Sequence, residues 1–232
     1  MKQRPVKRYV ELNGRLENGL WTYQALPGLE KIIPEVRIQT IATIKANEFF
    51  ASRLSMSTIS GTYVEAGSHI IQGARTLDRY RVSDFIKPAR ILRLPRQKAK
   101  ALIDEKLLAA HAPSLRPGEA ILVATGWGRM WNKPGYVLKC PNFTKGAIVW
   151  LLKKKPSICG FDVPCIESSW SEDAAEEKGG LLGMLFNKNV LLVAPLVNLE
   201  RLKADKGMLY CLPLPVVGTS GAPARVVFEE KA

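Results

Sequence analysis

The stretch Ser57-Thr58-Ile59-Ser60-Gly61-Thr62-Tyr63-Val64-Glu65-Ala66-Gly67-Ser68-His69 decides how this chain of 232 residues reads. Its approach alternates from Leu54 to Val64, which predicts a strand, and a strand sends every second side chain to the same face. Ile59, Tyr63 and Glu65 then share that face, with His69 following a Gly-containing turn. Glu65 and His69 are ordinary groups for acid–base work or metal ligation. Ile59 has no donor atom, a phenol is an uncommon ligand, and a catalytic zinc site needs three protein ligands. On its residues alone the segment reads equally as a half-buried strand and turn carrying one hydrogen-bonded histidine.

Further segments gather around it in a fixed order. Arg15-Leu16-Glu17-Asn18-Gly19-Leu20-Trp21 leads to Pro27-Gly28. Pro117-Gly118-Glu119-Ala120-Ile121-Leu122-Val123-Ala124-Thr125-Gly126-Trp127 reads as a buried strand ending in a glycine turn. Gly160-Phe161-Asp162-Val163-Pro164-Cys165-Ile166-Glu167 and Asn189-Val190-Leu191-Leu192-Val193-Ala194-Pro195-Leu196-Val197-Asn198-Leu199 come next. Leu212-Pro213-Leu214-Pro215 with Gly218-Thr219-Ser220-Gly221-Ala222-Pro223-Ala224-Arg225 closes the series.

In that order the segments resemble the cyclase family, the group that includes kynurenine formamidase and isatin hydrolase, whose signature reads S-x-H-x-G-T-H-x-D-A-P-x-H. Ser57, Gly61, Thr62, Ala66 and His69 match it. Ile59 and Tyr63 stand where the family has histidines, Glu65 where it has aspartate, and Gly67 where it has proline. Ala194 replaces the family's later glutamate, and a further family histidine falls on or near Leu182.

The resemblance implies a swivelling β/β/α fold, a homodimer or homotetramer, and a hydrolase pocket for an amide, formamide or cyclic small molecule. In that pocket Glu65 is general base or metal ligand, His69 is acid/base or metal ligand, and Tyr63 donates a hydrogen bond to a developing oxyanion. Trp21 and Trp127 are candidate aromatic walls, Cys165 replaces the family's serine, and Arg225 is a candidate for holding a substrate carboxylate. Zinc or manganese is the implied cofactor, held by Glu65 and His69. The missing ligands leave a metal-free protein as the alternative, either an idle ligand-binding relative or a metal-independent cyclase or dehydratase. The acidic run Glu172-Asp173-Ala174-Ala175-Glu176-Glu177 offers hard oxygen ligands or a solvated face.

Composition bounds these readings. A net charge of +13 invites nucleic acid, but the basic residues lie scattered at Lys2–Arg8, Arg90–Lys100 and Lys153–Lys155. They carry neither interleaved aromatics nor a DNA- or RNA-binding motif, so the expectation is no nucleic acid and, at most, an anionic small molecule. No run approaches the roughly 20 apolar residues of a membrane span, and the basic start has no signal-peptide core. Cys140, Cys159, Cys165 and Cys211 show no paired spacing, which suits a reducing cytoplasm. His111 reads as a solvent-facing loop residue.

The order of elements predicts an α+β (mixed α/β) fold, a single domain over residues 1–232 with a central sheet and few helices. Expected strands are Arg8–Leu12, Glu35–Ile44, Leu54–Val64, Ala89–Leu94, Ala120–Thr125, Ser157–Phe161, Val190–Ala194, Leu209–Leu212 and Ala224–Phe228. Expected helices are Gln97–Ala110, Thr144–Lys155 with Thr144 as N-cap, and a short one near Leu181–Asn187. Alternation in Val36–Ile44 suits a strand with one face covered, and the polar segment Ser168–Gly180 reads as a loop over the site.

Overall fold

The structure, a computed structural model, describes residues 7–167 and 179–231. The acidic run Glu172–Glu177, most of the polar segment Ser168–Gly180 and the basic residues before Lys7 lie outside the described residues. In chain order the strands are β1 (Lys7–Glu11), β2 (Arg37–Ala42), β3 (Ala51–Ser55), β4 (Tyr63–Glu65), β5 (Ile86–Arg93) and β6 (Leu102–Ile103). They continue with β7 (Ala120–Ala124), β8 (Asn142–Phe143), β9 (Ile158–Phe161), β10 (Leu191–Ala194), β11 (Lys206–Pro213) and β12 (Gly221–Lys231). The α-helices are α1 (Ile44–Asn47), α2 (Glu105–His111), α3 (Lys145–Lys153) and α4 (Gly180–Phe186).

An 8-stranded sheet runs β1-β12-β11-β5-β7-β9-β10-β4, and β12 also pairs with β4, so the sheet closes on itself. The long β12 makes closure possible: Gly221–Pro223 meet β4, and Val227–Lys231 meet β1 along the same edge. β5, β7, β9 and β10 are mutually parallel, and the remaining pairings are antiparallel. Apolar sequences such as Ala120-Ile121-Leu122-Val123-Ala124 and Leu191-Leu192-Val193-Ala194 are buried throughout, as parallel strands covered on both faces require.

The pleat sorts these side chains into two cores. Val64, Leu122, Ile158, Val193, Leu209, Val226 and Phe228 fill the interior of the closed sheet. Tyr63, Ile121, Val123, Cys159, Phe161, Leu192 and Ala194 face outward, against α2, α3 and α4. The period-2 alternation of β4 therefore puts Tyr63 and Glu65 under the helical layer while Val64 points inside. α3 begins where expected, with the Thr144 hydroxyl accepting from Ala147 N at 3.2 Å. Its last turn carries Lys153, and Lys154 lies 4.7 Å over the Trp150 ring, where positive charge meets the helix dipole.

Three expected elements differ. The strand Leu54–Val64 is two strands, β3 and β4, because a turn with Ser60 N bonded to Ser57 O and Gly61 at a φ of 68° intervenes. That positive φ is cheap only for glycine. The helix Gln97–Ala110 is reduced to α2, because Leu102 and Ile103 pair with β8 and Asp104 accepts from Leu107 N at 2.8 Å, capping the helix there. The strand Glu35–Ile44 becomes β2 and leads through α1 into β3, an antiparallel hairpin. Its expected covered face is covered only in part: Val36 and Ala42 are buried, while Ile38, Thr40 and Ile44 are exposed. His111 is exposed as expected, though it is the last residue of α2. No helix among the described residues is long and apolar enough to cross a membrane.

Asp162, just after β9, ties the top of the parallel sheet together. Its Oδ1 accepts from Thr125 N at 2.9 Å and Thr125 Oγ1 at 2.7 Å, and its Oδ2 from Gly126 N at 2.9 Å. Burial pushes its pKa up and these bonds pull it down. Asp162→Ala leaves the donors at Thr125 and Gly126 unpaired in the core, at a cost of about 3 kcal/mol. Urea unfolding followed by circular dichroism measures the loss, and a cost below about 1 kcal/mol would show that the turn is held by other contacts.

Candidate functional site

A cavity of about 860 Å³ opens between the outer face of β4 and β10, the segment Tyr23–Ile33, the loops at 137–142 and 164–167, and α4. Its floor is set by register. Ala194 pairs with Tyr63 and Leu192 with Glu65, so these four side chains share one face, all of them lining the cavity. Ile59, although on a turn and not a strand, reaches the same cavity. The grouping of Ile59, Tyr63 and Glu65 holds even though the continuous strand that suggested it does not.

Glu65 is 2% exposed, and burial raises its pKa to about 8. A carboxyl removed from water without a counter-charge keeps its proton, so Glu65 is neutral at pH 7. His69 follows one helical-type turn later, its Nδ1 3.2 Å from Glu65 Oε1. Oε1 is left without a hydrogen-bond partner. Burial pushes the His69 pKa down, so the imidazole is also neutral. The pair is a protonated acid beside an unprotonated base.

Tyr63 is placed differently from the expectation. Its hydroxyl lies 2.7 Å from that of Tyr23, which lies 2.7 Å from the carbonyl of Pro164. A carbonyl only accepts, so the single Tyr23 proton goes to Pro164 and the Tyr63 proton goes to Tyr23. Tyr63 therefore offers the cavity a lone pair, not the donor expected for an oxyanion. Burial raises the pKa of both phenols well above its usual value, which keeps the relay protonated.

Of the expected binding residues only Cys165 lines the cavity. Trp127 turns into the core, its indole N–H donating to Tyr136 O at 2.9 Å. Trp21 stands behind the wall, its ring 5.5 Å from Tyr23 and 5.4 Å from Trp131. Arg225 lies on β12 outside the cavity and pairs with Glu11 at 2.9 Å. No lysine or arginine lines the cavity among the described residues.

Tyr23, Cys140, Asn142 and Glu167 join the lining without having been singled out as site residues. Glu167, whose pKa is raised by burial, accepts from Leu181 N at the start of α4. Tyr23 is 40 residues from its partner Tyr63, beyond any local pattern. Asn142 donates to Cys165 O at 3.2 Å across 23 residues, equally out of reach of spacing.

A resident metal does not fit the described residues. Glu65 and His69 are two donors, Ile59, Ala194 and Leu192 supply none, and no group of three or more His, Cys, Asp or Glu gathers to hold an ion among the described residues.

Comparison with known proteins gives one family and a consistent fold. The model of the Cyclase family, "Putative cyclase", matches residues 10–168. The isatin hydrolase of Roseibium aggregatum is 26% identical over 243 residues, covering 94% of this chain and 90% of that protein. The crystal structure of an isatin hydrolase bound to the product analogue thioisatinate superposes with a TM-score of 0.83 at 22% identity, covering 97% and 93% of the two chains. A "predicted metal-dependent hydrolase" from Bacillus stearothermophilus superposes with a TM-score of 0.77 at 21% identity, covering 97% and 100%. The mixed α/β fold expected from the sequence is thus the fold found.

The raised pKa of Glu65 ties stability to pH. The unfolded chain releases this proton near 4.5 and the folded chain near 8, so the folded state loses stability as pH rises through that window. Glu65→Gln removes the loss. Thermal unfolding between pH 5 and pH 8 is expected to show a flatter pH dependence for the variant and a higher midpoint than the parent at pH 8. Parallel curves would mean that Glu65 is ionised in the folded state.

Proposed function

This chain belongs to the cyclase family, and we propose that it is a hydrolase-type protein whose metal site is eroded. It acts on an uncharged small molecule with an amide, formamide or cyclic lactam carbonyl. The observation that carries this reading is the neutral Glu65–His69 pair on the floor of a cavity of about 860 Å³, within the size range of small-molecule sites. The cavity has no cationic lining among the described residues, which favours a neutral ligand over an anionic one. Isatin, the substrate named for the Roseibium relative, is a planar lactam of this kind.

In this reading burial reverses the role expected for Glu65. Holding its proton, Glu65 hydrogen-bonds the carbonyl oxygen during addition and then transfers that one proton to the departing nitrogen. His69, held unprotonated, takes a proton from the attacking water, and that proton returns to Glu65. Neither zinc nor manganese is assigned a step. One feature favours the alternative of a ligand-binding protein without turnover: the Tyr63 proton is committed to Tyr23, which removes the donor expected for the oxyanion.

Incubation with isatin and with aryl formamides, followed by absorbance, tests the reading. Turnover is expected, with kcat reduced about 100-fold in both Glu65→Gln and His69→Ala. The rate should fall as pH rises past about 8, where Glu65 loses its proton, and on the acid side as His69 gains one. Binding of isatin by calorimetry without turnover would select the ligand-binding reading.

We further propose that residues 1–232 form one cyclase-like domain, working in the cytoplasm, where the unpaired state of all four cysteines is stable. It assembles as a homodimer, or a homotetramer built from that dimer. The β2–α1–β3 hairpin exposes Ile38, Ile41, Ile44, Phe49, Phe50 and Leu54, and an isolated two-stranded hairpin is marginal in water. Its alternating sequence is that of a covered strand, and a second copy supplies the cover. Replacing Phe49 and Phe50 with glutamate is expected to convert a dimer to monomer in sedimentation velocity; a monomeric parent would contradict the assembly.

A further inference from the structure

Two cysteines meet in the wall of the cavity. Cys140 belongs to the loop before β8 and Cys165 to the loop after Pro164, and the loops are laced together by Phe143 N to Ile166 O at 2.8 Å and Asn142 Nδ2 to Cys165 O at 3.2 Å. The Cys140 thiol donates to Cys165 O at 3.6 Å and its sulfur accepts from Asn142 Nδ2 at 3.8 Å. The two side chains influence each other's ionisation. Both residues line the cavity, within reach of any molecule small enough to enter.

We propose that Cys140 and Cys165 form a redox-active dithiol in the cavity wall, which peroxide oxidises to an intramolecular disulfide. The acid–base chemistry proposed above does not use either thiol. Cys140 is the attacking group. The side chains of Cys165 and Asn142 favour negative charge on its sulfur and lower the Cys140 pKa, while the Cys140 side chain and burial raise that of Cys165. The thiolate displaces hydroxide from the O–O bond of hydrogen peroxide, giving a sulfenic acid at Cys140. The Cys165 sulfur then attacks the Cys140 sulfur, its proton leaving with the sulfenic hydroxyl as water. Two thiols and one peroxide become one disulfide and two waters.

The other cysteines provide the contrast. Cys159 and Cys211 are fully buried, and burial pushes each thiol up to about 12, which makes them inert. Closing the bridge requires the two sulfurs to approach to about 2.05 Å. Both residues sit on loops outside the barrel strands, which leaves the sheet undisturbed. A bridge here links the segment carrying Pro164, the acceptor of the Tyr23 hydroxyl, to the loop carrying Asn142, so oxidation acts on the shape of the cavity.

The test is a disulfide map of the full chain after brief treatment with hydrogen peroxide, with free thiols alkylated in denaturant before proteolysis. The expected product is one cross-linked peptide pair joining Cys140 to Cys165, lighter by two hydrogens and restored by dithiothreitol, with Cys159 and Cys211 recovered alkylated. In the native protein, iodoacetamide should label Cys140 about tenfold faster than Cys159. Cys165→Ala should leave a sulfenic acid on Cys140 that dimedone traps. Four unmodified thiols after peroxide, oxidation of Cys140 to sulfinic acid without a bridge, or bridges between chains would each overturn the proposal. None of these readouts depends on turnover, so the hydrolase reading and the dithiol stand or fall separately.

Discussion

Burial of the Glu65 carboxyl in an apolar wall, with no cation beside it among the described residues, is the constraint on which the pocket depends. An uncompensated buried charge is far more costly than a buried neutral acid, so the group holds its proton to about pH 8. Asp162 shows the other solution to the same problem. It is as deeply buried, but three close donors from Thr125 and Gly126 converge on its oxygens, and it serves as a clamp. Glu65 lines the cavity, and its Oε1 has no hydrogen-bond partner. A satisfied carboxylate holds structure; an orphaned one is available for a ligand.

The closed sheet creates that environment. Because β12 is long enough to pair with β11 on one edge and with both β4 and β1 on the other, β4 is held between β10 and β12 over three residues. Tyr63 and Glu65 are thereby fixed on the outer face, and Val64 is fixed in the barrel interior. A slip of one residue would exchange these faces and remove the site. Among the described residues no lysine or arginine lines this region. Arg90 pairs with Glu119, and Arg93 spans Asp205 and the carbonyls of Leu199, Leu202 and Ala204, so part of the basic sequence serves to fasten β5 to its neighbours.

What could be read from sequence was what depends on local pattern. Buried strands β7, β9 and β10, the Thr144 cap of α3, and the shared placement of Ile59, Tyr63 and Glu65 follow from runs and spacings a few residues long. The segment containing Leu54–Val64 misled because the alternation continues through Gly61, where the chain turns. Trp127 and Arg225 misled for a different reason. Each residue type suits a binding site, but only the tertiary structure shows that Tyr136 O takes the indole N–H and Glu11 takes the guanidinium. The Tyr63–Tyr23–Pro164 relay joins segments separated by 40 and 141 residues, and it alone decides whether Tyr63 can donate.

The account rests on the claim that this pocket works with its own neutral acid and base and holds no resident metal, although relatives of similar fold are described as metal-dependent hydrolases. Elemental analysis of the purified full chain by plasma mass spectrometry, after gel filtration and without added metal, tests that claim directly. The account predicts zinc and manganese far below one equivalent per chain. Near one equivalent of either, retained through the column, would contradict it and would mean that Glu65 and His69 find further ligands.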